Sequence, residues 1–311
     1  MEYSRILKRA ITITWHHKAL WLFGFLLALF GGAGGGGSGR GVQWNIGQDE
    51  LARPEWVIGI VVVILAAVVL LVIAAVVLNN ISRGALVHMV SEVENTGSTT
   101  VRSGWHAGTA RLLSLIGIDL VSGIPAAIAS VTLIVLAASP LLLLLIAQPG
   151  SGSRQASVTA IAVLLTVLFE LAVIAILVVA GVALGIVREL AYRRCVLGGA
   201  GSITSLRGGY RTFRANLGRV GGLWLLLFGI DLAAGVVAFP LYLVVYGLAG
   251  GFGALVYSAT EAAAPAIVTG LLLAVPGILL ISAVSGVYLV FRSTSWTLGY
   301  RELSVPLPDS E

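Results

Sequence analysis

Long apolar runs separated by short basic stretches dominate the pattern of hydrophobic and polar positions along this chain. The runs are residues 19–30, 56–78, 112–147, 158–187, 220–256 and 266–291. Most of them exceed what a soluble core helix requires, whereas a helix that crosses the ~30 Å hydrocarbon core of a bilayer needs about 20 apolar residues. The pattern therefore predicts an all-α membrane protein with about six transmembrane helices.

Two of these runs, residues 112–147 and 220–256, are long enough to cross the hydrocarbon core nearly twice at ~1.5 Å per residue. The basic residues decide between one span and two. With one span per run, sixteen of the 19 Lys and Arg residues lie on one side, which the positive-inside rule assigns to the cytoplasm. Dividing the first run, or both runs, into two spans each would put the arginine-rich residues 188–219 on the extracytoplasmic side, against the positive-inside rule. We predict one tilted or kinked span per run.

The same rule places both termini in the cytoplasm of a cell whose plasma membrane holds this multi-pass chain. The cytoplasmic segments are then residues 79–110 and 188–219, and the extracytoplasmic segments are residues 31–55, 148–157 and 257–265. The basic start, the first apolar run and the glycines after it also fit a signal peptide. We favour a retained span, because Ile6, Ala10 and Ile13 fall at helical spacing, which predicts an interfacial amphipathic helix before it.

Composition agrees with a membrane protein. Apolar residues make up 58% of the chain and charged residues 11%, whereas a soluble domain carries about a quarter charged residues. The net charge of +5 predicts contact with anionic headgroups. No nucleic-acid-binding module accompanies the charge, so nucleic acid is not an expected partner. The single cysteine, Cys195, excludes an internal disulfide and a cysteine metal cluster.

An internal repeat organises the chain. Residues 83–106 align without a gap with residues 188–211, and after seven inserted residues 117–123 align with 229–235. Two spans per unit mean that successive units point the same way across the membrane. We predict one integral membrane domain, residues 1–311, with parallel two-span repeats at approximately 1–83, 84–188 and 189–292 and a short tail at 293–311.

Each unit begins with a basic, aromatic segment. These segments contain Arg5, Lys8, Arg9 and Trp15, then Arg102 and Trp105, then Arg207, Tyr210, Arg211 and Arg214. We predict that they form interfacial amphipathic helices on the cytoplasmic side, with all seven basic residues in contact with lipid headgroups.

This layout resembles a broad group of uncharacterised six-span bacterial proteins, which includes the membrane domain attached to some glycerophosphodiester phosphodiesterases. The resemblance covers the whole chain and implies a bacterial plasma-membrane protein. It carries over no catalytic residue, because catalysis in those phosphodiesterases belongs to a soluble domain that these 311 residues do not contain.

Three carboxylates lie within the spans: Asp119, Glu170 and Asp231. A charge at the bilayer centre costs at least ~2.5–3.5 kcal/mol, so such residues face the bundle interior, pair with another group or become protonated. Asp119 and Asp231 are equivalent in the repeat. Either they are ion or proton sites or they pair with a span-end arginine. We favour pairing, because the motif is duplicated with the scaffold. The candidate arginines are Arg83, Arg188, Arg219 and Arg292. For Glu170, which has no counterpart, both interpretations stay open.

Catalytic motifs are missing from the sequence. The segment from Gly32 to Gly37 fits the G-x-G-x-x-G pattern formally, but it follows a membrane span in low-complexity sequence, which predicts a flexible linker. The histidines lack metal-ligand spacing, and no hydrolase, zinc-protease or P-loop motif occurs. We expect no enzymatic activity, catalytic residue, cofactor or metal.

Two functions remain, with a lipid-modifying enzyme as a distant third. The first is a scaffold or regulatory protein that binds anionic lipid or, as a further candidate partner, another membrane protein. The alternative is a transporter or channel that uses the intramembrane carboxylates.

Overall fold

The computed structural model of the protein describes residues 2–31, 55–146 and 153–304, and these residues form nine α-helices and no strand. The helices are α1 (Tyr3–His16), α2 (Ala19–Gly31), α3 (Glu55–Thr96), α4 (Val101–Ala110), α5 (Leu112–Ile146), α6 (Ser153–Gly198), α7 (Ser202–Ala215), α8 (Leu217–Thr260) and α9 (Ala263–Ser304). The all-α prediction is confirmed for this part of the chain. The glycine-rich segment from Gly32 to Gly37 lies outside the described residues.

Five helical segments are long and apolar enough to cross a membrane. They are Val61–Thr96, Leu112–Ala137, Ala162–Gly198, Leu217–Thr260 and Pro265–Leu303. The pair α1 and α2 meets the same criterion as a sixth candidate, with a bend of 99° between the two helices. In the apolar 18-residue window of each segment at most 11% of the residues are buried, so a large apolar area faces outward, as hydrocarbon would cover it in a bilayer. This agrees with the predicted multi-pass membrane protein: five helices, or six if the bent pair forms one span, are long and apolar enough to cross a membrane.

The two long apolar runs each form one continuous helix. Helix α5 continues through Pro125 and α8 continues through Pro240. This agrees with the prediction of one helix per run, which rested on the distribution of arginines. Helix α9, in contrast, does not end with the apolar run at Phe291 but continues to Ser304, so part of the segment assigned to a tail is helical.

The chain forms two compact units, one of Met1–Leu112 with Gly218–Glu311 and one of Leu113–Leu217. In the first unit, α2 packs against both α3 and α9 around the buried side chains of Phe23, Leu86 and Val290. Contact between α2 and α9 is made through backbone. A Cβ on Gly24 would lie 2.4 Å from the carbonyl oxygen of Gly286. Small residues allow such close approach between membrane helices, where packing replaces the hydrophobic effect.

The second unit has a smaller core between α5 and α6. Leu115 and Ile118 of α5 are fully buried against Ala191, Tyr192 and Cys195 of α6. Helix α7 packs against the same end of α6, and Ser202 at its start donates a 2.8 Å hydrogen bond from Oγ to the carbonyl oxygen of Ser114.

A short helix packs on the polar end of a long helix in three places. Helix α4 packs on α3, α7 packs on α6, and α1 packs on α9. Glycines allow the close approach in the first two pairs: a Cβ on Gly108 would lie 2.4 Å from the carbonyl oxygen of Ile81, and one on Gly209 would lie 2.8 Å from that of Val187. The parallel repeat itself stays a prediction, because these contacts do not test the sequence alignment.

Candidate functional site

The intramembrane carboxylate of Asp231 contacts two side chains of α9. Its Oδ2 lies 3.6 Å from Nη2 of Arg292, and its Oδ1 accepts a hydrogen bond from the hydroxyl of Tyr288. Tyr288 and Arg292 are four residues apart and therefore share one face of α9. Arg292 was among the predicted partners of the aspartates, whereas Tyr288 was not anticipated.

Asp119 has a related but different environment in the second unit. Its Oδ1 accepts a hydrogen bond from the hydroxyl of Tyr192 on α6. The expected arginine, Arg188, donates from Nε to Oγ of Ser122 at 2.7 Å. Arg188 therefore reaches α5 one turn beyond Asp119, and no ion pair of Asp119 forms among the residues that the structure describes. The predicted aspartate–arginine pair is found for Asp231 and not for Asp119.

The two tyrosines occupy positions that the repeat does not relate. Tyr192 follows Arg188 by four residues, whereas Tyr288 precedes Arg292 by four. When the two arginines are aligned, the two tyrosines therefore fall at different positions of the alignment. The signal that would have found both is a tyrosine one helical turn from the arginine that ends a span, on either side.

Glu170 lies far from Asp119 within the second unit. Tyr192, which contacts Asp119, follows Glu170 by 22 residues on the same helix, a rise of ~33 Å. Glu170 is half-buried and forms no hydrogen bond or ion pair with the described part of the chain. These two carboxylates therefore do not share one site.

The basic residues predicted to contact headgroups fall into two groups. Arg9 donates from Nε to Oε1 of Glu94 at 2.8 Å, and Arg5 lies 3.8 Å from Glu302, so both hold α1 against other helices. All seven predicted residues are exposed, and the other five form no ion pair with any described residue: Lys8, Arg102, Arg207, Arg211 and Arg214.

Exposed aromatic side chains accompany these free basic residues. Trp15, Trp105 and Tyr210 are exposed on α1, α4 and α7. Arg102 and Arg207 each precede the aromatic residue of their helix by three positions, which places both groups on neighbouring parts of the helix surface. Aromatic rings beside cations are suited to the level of the lipid headgroups.

Groups suited to redox or metal chemistry are sparse. Cys195 is buried, and no cluster of three His, Cys, Asp or Glu residues suited to a metal ion occurs within the described ranges. No protein-family model, curated protein or solved structure matches the chain. The resemblance to the membrane domain of glycerophosphodiester phosphodiesterases therefore stays a prediction from the sequence.

Proposed function

We propose that the protein is a non-enzymatic scaffold or regulatory protein of a bacterial plasma membrane and that it binds anionic lipid at its cytoplasmic face. The orientation of α1 carries the proposal. It turns by 99° from α2, so α1 lies along the membrane surface when α2 points into the bilayer. Its exposed side chains include apolar Ile11 and Trp15 next to basic Lys8, a combination typical of interfacial helices.

Helices α4 and α7 extend the same proposal to the two later repeat units. Each packs on the polar end of a long helix and exposes an aromatic residue beside an arginine, Trp105 with Arg102 and Tyr210 with Arg207. In this arrangement three parallel repeats each present one interfacial helix to the cytoplasmic leaflet. Both termini then lie in the cytoplasm, on the side that holds most of the basic residues.

Pairing of the aspartates supports a structural role for them. Asp231 contacts Arg292 and Tyr288, and Asp119 accepts a hydrogen bond from Tyr192. A proton or ion route would need groups close enough to pass the charge on, whereas Glu170 lies ~33 Å along α6 from the residue that binds Asp119. The alternative function, a transporter or channel, rests on Glu170 because this carboxylate is half-buried without a partner among the described residues.

Lipid retention tests the proposal. We would purify the full chain from a mixture of phosphatidylglycerol and phosphatidylcholine and count bound lipids by native mass spectrometry. The test variant replaces Arg207, Arg211 and Arg214 with Gln. Each basic residue near an anionic surface contributes ~1 kcal/mol, so losing three lowers the preference for anionic lipid by up to about a hundredfold.

A matched control removes the same charge elsewhere. It replaces Arg40, Arg53 and Arg154, which the positive-inside rule places on the outer side, with Gln. We expect the ratio of phosphatidylglycerol to phosphatidylcholine to fall at least tenfold in the test variant and less than twofold in the control. An unchanged ratio in the test variant would contradict the proposal.

A further inference from the structure

An apolar cavity of about 590 Å³ lies between α1, α2 and α9 in the first unit. Its volume is within the ~300–1,000 Å³ typical of small-molecule sites. The walls include Ile11, Trp15 and Trp21 on one side and Val284, Val287 and Tyr288 on the other. Because α1 meets α2 at 99°, the cavity lies where the proposed interfacial helix joins the first span.

Tryptophans shape the wall next to the interface. The rings of Trp15 and Trp21 meet edge to face, with centroids 5.6 Å apart and planes at 73°. Nε1 of Trp21 donates a 2.8 Å hydrogen bond to the carbonyl oxygen of Thr14. This bond links Trp21 back to α1 across the bend between the two helices.

Three of the four side-chain hydrogen-bond donors in the cavity lining are already used within the protein. The hydroxyl of Thr14 donates to the carbonyl oxygen of Ala10 at 2.8 Å, Trp21 donates to Thr14, and the hydroxyl of Tyr288 donates to Asp231. The fourth side-chain donor of the lining, the indole N–H of Trp15, forms no hydrogen bond with a described residue. An ordered water needs two to four polar partners, so water is a poor occupant and hydrocarbon is a good one.

Two lysines lie within one helical turn, along the chain, of residues that line the cavity. Lys18 lies in the break between α1 and α2, three residues after Trp15 and three before Trp21, and Lys8 lies one turn before Ile11. Both lysines are exposed and form no ion pair with a described residue. A lipid phosphate at this level would meet them.

We propose that this cavity binds one acyl chain of an anionic phospholipid, whose phosphate is held by Lys18 and Lys8. The inference rests on the proposed lipid-binding function and gives it a defined site. The apolar walls bind the acyl chain, and the two lysines favour a headgroup with a negative charge. One phospholipid in this position bridges α1 to α9, the first helix of the chain to the last.

Two variants that fill the cavity test the site. Val284→Trp adds an indole from α9 and Ile11→Trp adds one from α1. The control is Val237→Trp on α8, since Val237 is also an exposed membrane valine, 80% exposed against 51% for Val284, and does not line the cavity. We expect native mass spectrometry of the full chain to show one retained phosphatidylglycerol, with occupancy at least tenfold lower in the two filled variants and within twofold in the control.

Competition on the unmodified protein provides a second test that needs no variant. Dioleoyl phosphatidylglycerol should displace the retained lipid at least tenfold more effectively than dihexanoyl phosphatidylglycerol, because only the longer chain fills the cavity. Equal displacement overturns the inference. So does retention of the parental lipid by both filled variants.

The outcomes separate the site from the general function. If the filled variants keep their lipid while replacing Arg207, Arg211 and Arg214 lowers the anionic preference, the cavity proposal fails and the proposed function stands. If the arginine variant keeps the parental preference but the filled variants lose one lipid, the proposed role of the interfacial arginines fails and the cavity is a lipid site.

Replacing Lys18 with Gln should lower the preference for phosphatidylglycerol over phosphatidylcholine at the cavity at least threefold.

Discussion

Replacing Asp231 with Asn should destabilise the first unit by removing the charge that balances Arg292. The carboxylate lies 3.6 Å from Nη2 of Arg292, and Nε of that arginine is buried without a hydrogen-bond partner among the described residues. Asn can still accept a hydrogen bond from Tyr288. It cannot neutralise the guanidinium, which stays in the membrane segment with its charge unbalanced.

The magnitude follows from the exposure of the pair. Breaking a fully buried ion pair costs ~3–5 kcal/mol, whereas an ion pair in water contributes ~0–1 kcal/mol. The side chains of Asp231 and Arg292 are 28% and 39% exposed. We therefore expect the free energy of unfolding to fall by ~1–3 kcal/mol in the Asp231→Asn variant.

A double-mutant cycle isolates the contribution of the pair. We would measure unfolding of the full chain in mixed micelles by titration with a denaturing detergent, for Asp231→Asn, Arg292→Gln and the double variant. The double variant should lose less stability than the sum of the two single losses, because it leaves no unpaired charge. Effects that add within ~0.5 kcal/mol would refute the pairing, and so would a single variant as stable as the parent.

Three further predictions concern packing, topology and transport. Gly24→Leu should lower the free energy of unfolding by at least ~1–3 kcal/mol because its Cβ meets the backbone of α9. The control Gly181→Leu has open space around its Cβ and should change that free energy by less than ~0.5 kcal/mol. Equal losses in the two variants would contradict the packing. A cysteine that replaces Ser98 should not react with an impermeant maleimide added outside intact cells, and it should react after permeabilisation. Cys195 is buried and should stay unlabelled in the folded protein. Labelling at position 98 from outside would overturn the predicted topology. Glu170→Gln should leave stability and proton flux into liposomes unchanged, and a flux present in the parent but lost in this variant would favour transport over scaffolding.

The approximate number of candidate spans and the Asp231 pair were accessible from sequence because each depends on a local signal. Hydropathy locates the candidate spans, and the arginines of residues 188–219 favoured one span in each of the two long runs, which form the single helices α5 and α8. An aspartate inside a span needs a partner, and Arg292 ends the last apolar run, so their contact could be expected.

Side-chain partners that depend on the rotation of one helix against another were not accessible. Tyr192 and Tyr288 reach their aspartates from opposite sides of an arginine, and no periodicity along a single helix determines which turn faces a neighbour. The same reason explains Arg188, which bonds Ser122 and not Asp119. The end of α9 was also missed, because hydropathy reports where the apolar surface stops and not where the helix stops.

The backbone contact between Gly24 and Gly286 sets the order of events during synthesis. The two glycines are about 260 residues apart, so at ~5–20 residues per second the first helix waits roughly 13–52 s for its partner. During that interval the surface left open by the missing side chain of Gly24 is covered only by lipid or by a chaperone. The core of the first unit is therefore completed only when α9 has been synthesised. A chain that ends before Gly286 lacks the backbone surface against which Gly24 packs.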